Sequence, residues 1–197
     1  MKTALLNKLR SRVEGFFNAL AVYFSKVGLT PNALTALSLA VASLGPILVL
    51  VYKSGLALSL VIVSSGLVDA VDGALARLQG KVSKRGAFLD SFMDRVCEAV
   101  FAFSLLGLGF NAYLVVVFLA LSYLVSYARA RCEGLGVELV GVGLMERAER
   151  LLFLAVTALM VDVSSTVASY LFIALTALTG VTVVQRFMHA WRALRSS

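Results

Sequence analysis

The sequence predicts an all-α, polytopic membrane protein in which six transmembrane helices follow an N-terminal amphipathic interfacial helix. Three observations carry this expectation. First, 60% of the 197 residues are hydrophobic and 15% charged, with a mean hydropathy of +0.92. A soluble domain carries about 25% charged residues, and a chain of this size cannot hide so much apolar surface inside itself. Second, six stretches reach the length of about 20 apolar residues that a bilayer core requires. Third, Leu5, Leu9, Val13, Phe16, Phe17 and Leu20 recur at helical spacing across residues 4–24, with Lys8, Arg12 and Asn18 among them. That is the pattern of a helix lying on a membrane surface. The composition also excludes intrinsic disorder, a collagen-like fibre and a disulfide scaffold. Cys97 and Cys132 lie singly in apolar stretches, without metal-ligand spacing.

Residues 1–30 form the interfacial segment. Lys2, Lys8, Arg10 and Arg12 precede no long apolar run before residue 20, which is not the layout of a secretory signal peptide. The run Gly28-Leu29-Thr30-Pro31-Asn32 breaks the first helix. Thr30 can cap the next one, and Pro31 suits its first turn. Residues 31–197 form the six-helix domain, with spans over 32–52, 56–78, 86–107, 111–131, 147–165 and 166–188. A tight turn near Gly107, Gly109 and Asn111 joins the third and fourth spans. A polar patch at Asp162, Ser164 and Ser165 divides the last two.

An even number of spans puts both termini on one side. Basic residues collect there: Lys26 and the N-terminal arm, then Arg77, Lys81, Lys84 and Arg85, then Arg129, Arg131, Arg147 and Arg150, and finally Arg186, Arg192 and Arg195. The opposite loops hold only Lys53. The positive-inside rule therefore predicts a multi-pass protein of the cell membrane with both termini cytoplasmic. The net charge of +7 fits basic loops and anionic headgroups, not nucleic acid. His189, near the C-terminus, reads as an interfacial residue.

Ionisable groups inside a membrane are costly, yet Asp69 and Asp72 lie in the second span and Asp90 and Asp94 in the third. Each pair shares one helix face, being three and four residues apart. In an antiparallel hairpin, Asp69 falls level with Asp94 and Asp72 with Asp90. At a 1.5 Å rise per residue, Asp69 sits roughly 12 Å from the helix end at Arg77, close to the cytoplasmic face. Carboxylates gathered there must protonate or be neutralised by cations. The ligands would all be oxygen, which suits Mg²⁺, Mn²⁺ or Ca²⁺. A proton relay and helix–helix bonding are the other readings of the acids alone. Gly73 and Ala76 follow on the same stripe, Arg77 closes it, and Gly86 opens the facing stripe. A gap beside metal-binding acids, rimmed by arginine, suits a diphosphate. A small-residue stripe that serves only helix packing is the plainer alternative.

Residues 69–94 read DAVDGALARLQGKVSKRGAFLDSFMD. They match the signature D-x2-D-G-x2-A-R-x8-G-x3-D-x3-D at every fixed position, and the chain resembles the CDP-alcohol phosphotransferase family. The resemblance implies a six-helical membrane transferase using two divalent ions, Mg²⁺ or Mn²⁺. A CDP-lipid binds through its diphosphate, an acceptor alcohol attacks the lipid-linked phosphate, and CMP leaves. It further implies that Asp69, Asp72, Asp90 and Asp94 bind metal and that Asp94 also accepts the hydroxyl proton. Gly73 and Ala76 would give the cytidine room, and Arg77 and Ser83 would meet its phosphates. Gly86 would complete that wall, with Asn32 and Thr35 from the segment Pro31-Asn32-Ala33-Leu34-Thr35. A homodimer is implied by the resemblance alone.

A second polar group surrounds Ser126-Tyr127-Ala128-Arg129-Ala130-Arg131-Cys132-Glu133, Glu146-Arg147-Ala148-Glu149-Arg150 and Arg186. These residues could be helix-end charges in surface ion pairs. Arginine forks from three helices could instead bind a phosphate. The patterns S-Y-x-R-A-R-x-E and E-R-x-E-R resemble the family's inositol-phosphate branch. That resemblance implies that Arg129, Arg147, Arg150 and Arg186 hold the phosphate of a soluble phosphorylated polyol, inositol 1-phosphate. Glycerol 3-phosphate or serine is the alternative acceptor, and a cation-transporting helix bundle is the alternative outside the enzyme class.

Overall fold

The computed structural model describes residues 15–195, and these contain seven helices and no strand. They are α1 (15–26), α2 (Pro31–Tyr52), α3 (Gly55–Leu78), α4 (Lys84–Gly107), α5 (Ala112–Glu133), α6 (Arg147–Val161) and α7 (Ser165–Arg195). Leu5, Lys8, Leu9, Arg12 and Val13, part of the expected interfacial helix, lie outside the described residues. Four of the helices, α2, α3, α5 and α7, are long and apolar enough to cross a bilayer. The third span, now α4, is 24 residues long, and Asp90, Asp94, Arg95 and Glu98 lower its apolar content. The fifth, α6, has only 15 residues.

α6 stops at Val161 instead of 165, because Asp162 leaves the helix and caps another one. Its carboxylate accepts the backbone N–H groups of Gly55 and Leu56, each at 2.8 Å, and the Ser54 hydroxyl at 3.1 Å. These N–H groups are the orphaned donors of α3's first turn. α7 runs on to Arg195, past the expected end at 188. Nothing in Phe187–Leu194 breaks a helix, and Arg192 and Arg195 suit the negative end of its dipole.

Two compact units are distinguished, and each has its own interior. One comprises residues 1–41 and 64–97. Its core is Ala21, Leu34, Val71, Ala74 and Leu75, with Phe17, Leu20 and Phe24 of α1 packed on it. The apolar stripe of α1 is therefore in use against α2 and α3. The Gln79 amide ties the same elements together by donating to the Leu29 carbonyl at 3.0 Å and the Ser25 hydroxyl at 3.3 Å.

The other unit comprises residues 42–63 and 98–197. Phe172 of α7 meets Phe110 and Phe118 edge-on, with ring centres 5.1 and 5.4 Å apart. Buried Thr176 and Thr179 donate to carbonyls one turn back, each at 2.8 Å, which satisfies hydroxyls where water is absent. Gly55 permits close helix approach: a β-carbon there would collide with the Ala158 carbonyl oxygen of α6.

Candidate active site

The first unit builds its polar centre on three local devices. Thr30 caps α2, its hydroxyl accepting the Ala33 N–H at 3.3 Å. Gly80, with φ of 62°, ends α3 in the left-handed region that glycine tolerates. Ser83 caps α4 by accepting the Gly86 N–H at 3.1 Å. The hairpin so formed brings carboxylate oxygens of Asp69, Asp72 and Asp90 within 4.8 Å of one another. Asp72 is buried; Asp69 and Asp90 are half-buried.

Thr35, also buried, donates its hydroxyl to Asp72 Oδ2 at 2.6 Å. The same hydroxyl is 3.2 Å from the Pro31 carbonyl, but its one proton serves the shorter contact to the carboxylate. Asp94 is buried and outside the trio. Its Oδ2 accepts from Arg95 Nη1 at 3.0 Å. A dense set of hard oxygen donors with no nitrogen or sulfur ligand fits Mg²⁺ or Mn²⁺.

All seven residues assigned to the nucleotide, Asn32, Thr35, Gly73, Ala76, Arg77, Ser83 and Gly86, line one cavity of ≈ 590 Å³. Asp72, Asp90 and Lys81 also face it. Two of its walls are glycines, and the one at Gly86 is the tighter. A β-carbon on Gly86 would come within 3.2 Å of the Ser83 hydroxyl and 3.7 Å of Asn32 Oδ1. One on Gly73 would stand 3.6 Å from Arg77 Nη1. The cavity thus joins two metal-type carboxylates to an arginine and a lysine, a combination suited to a diphosphate.

The four arginines of the second unit differ in their surroundings. Arg129 is exposed and pairs with Glu133 at 2.8 Å, one helical turn away. Arg147 opens α6. Arg150 is 1% exposed. Its Nε and Nη2 reach Glu98 Oε1 and Oε2 at 2.8 and 3.2 Å, and its Nη1 reaches the Met145 carbonyl at 3.1 Å. Arg186, also buried, donates to the carbonyls of Val142 at 2.9 Å and Val125 at 2.7 Å, and to Glu146 Oε1 at 3.3 Å. Three of the four expected phosphate ligands are therefore already tied to protein acceptors, two of them, Arg150 and Arg186, in the interior. The sequence reading missed Glu98. The rule that singled out the aspartates, an acid inside an apolar helix, applied to it equally.

The description of the CDP-alcohol phosphatidyltransferase family matches residues 28–184. The chain belongs to this family. The match takes in the whole cavity of the phosphatidyltransferase and three of the four arginines, Arg129, Arg147 and Arg150, and ends before Arg186. Archaetidylinositol phosphate synthase of Aeropyrum pernix is 37% identical over 196 residues, covering 97% of this chain and 98% of that one. Phosphatidylinositol phosphate synthase of Mycobacterium tuberculosis, solved with CDP-DAG bound, superposes with a TM-score of 0.78 at 29% identity. That superposition covers 89% of this chain and 93% of the other. The same enzyme solved with manganese and citrate gives a TM-score of 0.79 at 28% identity, over 89% and 88% of the two chains.

Proposed function

We propose that this phosphatidyltransferase moves a phosphatidyl or archaetidyl group from a CDP-lipid to inositol 1-phosphate and releases CMP. One observation carries the reading. The convergent aspartates and every residue assigned to the nucleotide belong to one unit, and Asp72 and Asp90 line the same cavity as those residues. The relatives named for inositol phosphate products, and the bound CDP-DAG of the solved enzyme, support the donor and the acceptor.

In this mechanism Asn32, Gly73, Ala76 and Gly86 shape the nucleotide cavity, while Arg77 and Ser83 meet its phosphates. Asp69, Asp72, Asp90 and Asp94 would hold two divalent ions, Mg²⁺ or Mn²⁺, with the Thr35 hydroxyl orienting Asp72. Bound there, such ions neutralise diphosphate charge and stabilise attacking and leaving oxygens. The acceptor hydroxyl attacks the phosphorus attached to the lipid. The bond from that phosphorus to the CMP oxygen breaks, and CMP leaves with its electron pair. Asp94 takes the hydroxyl proton as general base. The arginines at 129, 147, 150 and 186 orient the acceptor's own phosphate.

The same reading includes six spans, a surface-lying N-terminal helix, a homodimer, and termini and active site facing the cytoplasm. A site near that face lets the lipid chains remain in the bilayer while a soluble polyol phosphate arrives from water. The test is mass spectrometry of products made by the purified protein from ester- and ether-linked CDP-lipids with inositol 1-phosphate, glycerol 3-phosphate and serine. Lipid inositol phosphate is the expected product. Turnover with another acceptor and none with inositol 1-phosphate overturns the acceptor assignment.

A further inference from the structure

Glu98 is outside the aspartate signature, and no step above uses it. It is 1% exposed, the most deeply buried acid among the described residues. Its two oxygens receive the Nε and Nη2 of Arg150, a side-on pairing that fixes the guanidinium plane. The third nitrogen of that guanidinium holds the Met145 carbonyl.

Residues 141–146 have no helix or strand of their own, so their polar backbone must be satisfied from elsewhere. Side chains do this. Thr182 accepts the Met145 N–H at 3.0 Å, and Gln185 accepts the Leu144 N–H at 3.2 Å. Arg186 takes the Val142 carbonyl and Glu146. Gly143, with φ of +113°, fits only without a β-carbon, which would strike the Thr182 side chain. The pinned segment runs directly into Arg147 and the first turn of α6.

We propose that Glu98 is a positioning residue for the acceptor site. By locking Arg150 it sets residues 142–146, and through them the Arg147 end of α6, in the geometry that receives the acceptor's phosphate. The proposal rests on the acceptor reading above. A buried pair contributes little net stability compared with a well-packed apolar pair, but an apolar pair could not hold the Met145 carbonyl. Glu98 follows Asp94 by four residues on α4, so one helix carries both the proposed base and this anchor.

The experiment is steady-state kinetics of the full chain in nanodiscs, with Mn²⁺ binding read separately by electron paramagnetic resonance. Glu98→Gln is expected to raise the KM for inositol 1-phosphate by about tenfold, the effect of losing one charge-assisted contact. The kcat, the KM for CDP-lipid and Mn²⁺ affinity stay near wild type. Glu98→Asp keeps the charge with a shorter reach; it is expected to melt like the wild type and to show an acceptor KM between those of the wild type and Glu98→Gln. A lowered melting temperature with both KM values unchanged makes Glu98 merely structural and overturns the proposal. So does an equal rise in both KM values. If the wild type uses a different acceptor, the acceptor assignment fails separately, and the same comparison is made with the acceptor it does use.

Discussion

Thr35→Val removes one hydroxyl and keeps a β-branched side chain of nearly the same shape. The hydroxyl's bond to Asp72 is 2.6 Å long, and its two ends are 3% and 6% exposed. Water cannot readily replace it. A hydrogen bond to a charged group contributes about 1.5–3 kcal/mol, and losing a partner that orients a ligating group typically weakens metal binding by about 10–100-fold. The expected outcome is a rise of that size in the Mg²⁺ concentration needed for half-maximal activity. Direct Mn²⁺ titration by electron paramagnetic resonance should weaken equally, while kcat at saturating metal changes little and Thr35→Ser restores binding. The sequence alone assigned Thr35 to the nucleotide, and that role makes a different forecast. If the Val variant binds Mn²⁺ as wild type does and only the CDP-lipid KM rises, the orienting role is refuted.

Asp94→Asn keeps size and polarity but cannot take a proton. Turnover should fall by about 10²–10⁴-fold, the scale of general-base catalysis, with CDP-lipid binding by calorimetry retained; turnover near wild type removes the assignment. Asp162→Ala takes away the cap of α3 and should cost about 1 kcal/mol at neutral pH, measured by thermal unfolding in detergent. The N–H groups of Leu56 and Gly55, with the Ser54 hydroxyl, hold the Asp162 carboxyl below the usual carboxylate range. Its contribution is therefore complete above the unfolded value near 4 and is lost as pH falls through the lower folded value. The stability gap between wild type and variant should close only below about pH 4; a gap that is constant across that window contradicts the cap.

The helices and the aspartate hairpin were legible in the sequence because few physical rules decide them, whereas the residues proposed for the nucleotide came from the family resemblance. A bilayer demands long apolar runs, and α2, α3, α4 and α5 fall within two residues of the expected spans. The hairpin's aspartates follow from helical spacing and antiparallel depth, and three of the four converge. Asp94 lies outside that trio with its Oδ2 on Arg95, a contact that spacing does not encode. Interactions between distant segments were the illegible part. Glu98 and Arg150 are 52 residues apart, and Asp162 lies more than 100 residues from the turn it caps. Residues 134–146 carry no periodicity, so their anchoring by α7 left no trace in the pattern.

The charges of the second unit give the Glu98 experiment a sharper edge than a change in KM alone. Of the four arginines proposed for the acceptor, Arg150 has Glu98, Arg186 has Glu146 and Arg129 has Glu133 within 3.3 Å. The group is thus largely neutralised before an anion arrives. If the site worked only by positive potential, removing Glu98 would leave more net positive charge and strengthen binding of a phosphate. If it works by placement, the freed Arg150 loses its fixed plane and Met145 its anchor, and binding weakens although the charge has become more favourable. The two mechanisms therefore predict opposite signs for Glu98→Gln. Raising the salt concentration separates them again, because screening reduces a gain that comes from potential but cannot restore a lost geometry. A variant that binds inositol 1-phosphate more tightly at low salt, and reverts at high salt, would assign these arginines to attraction and not to placement.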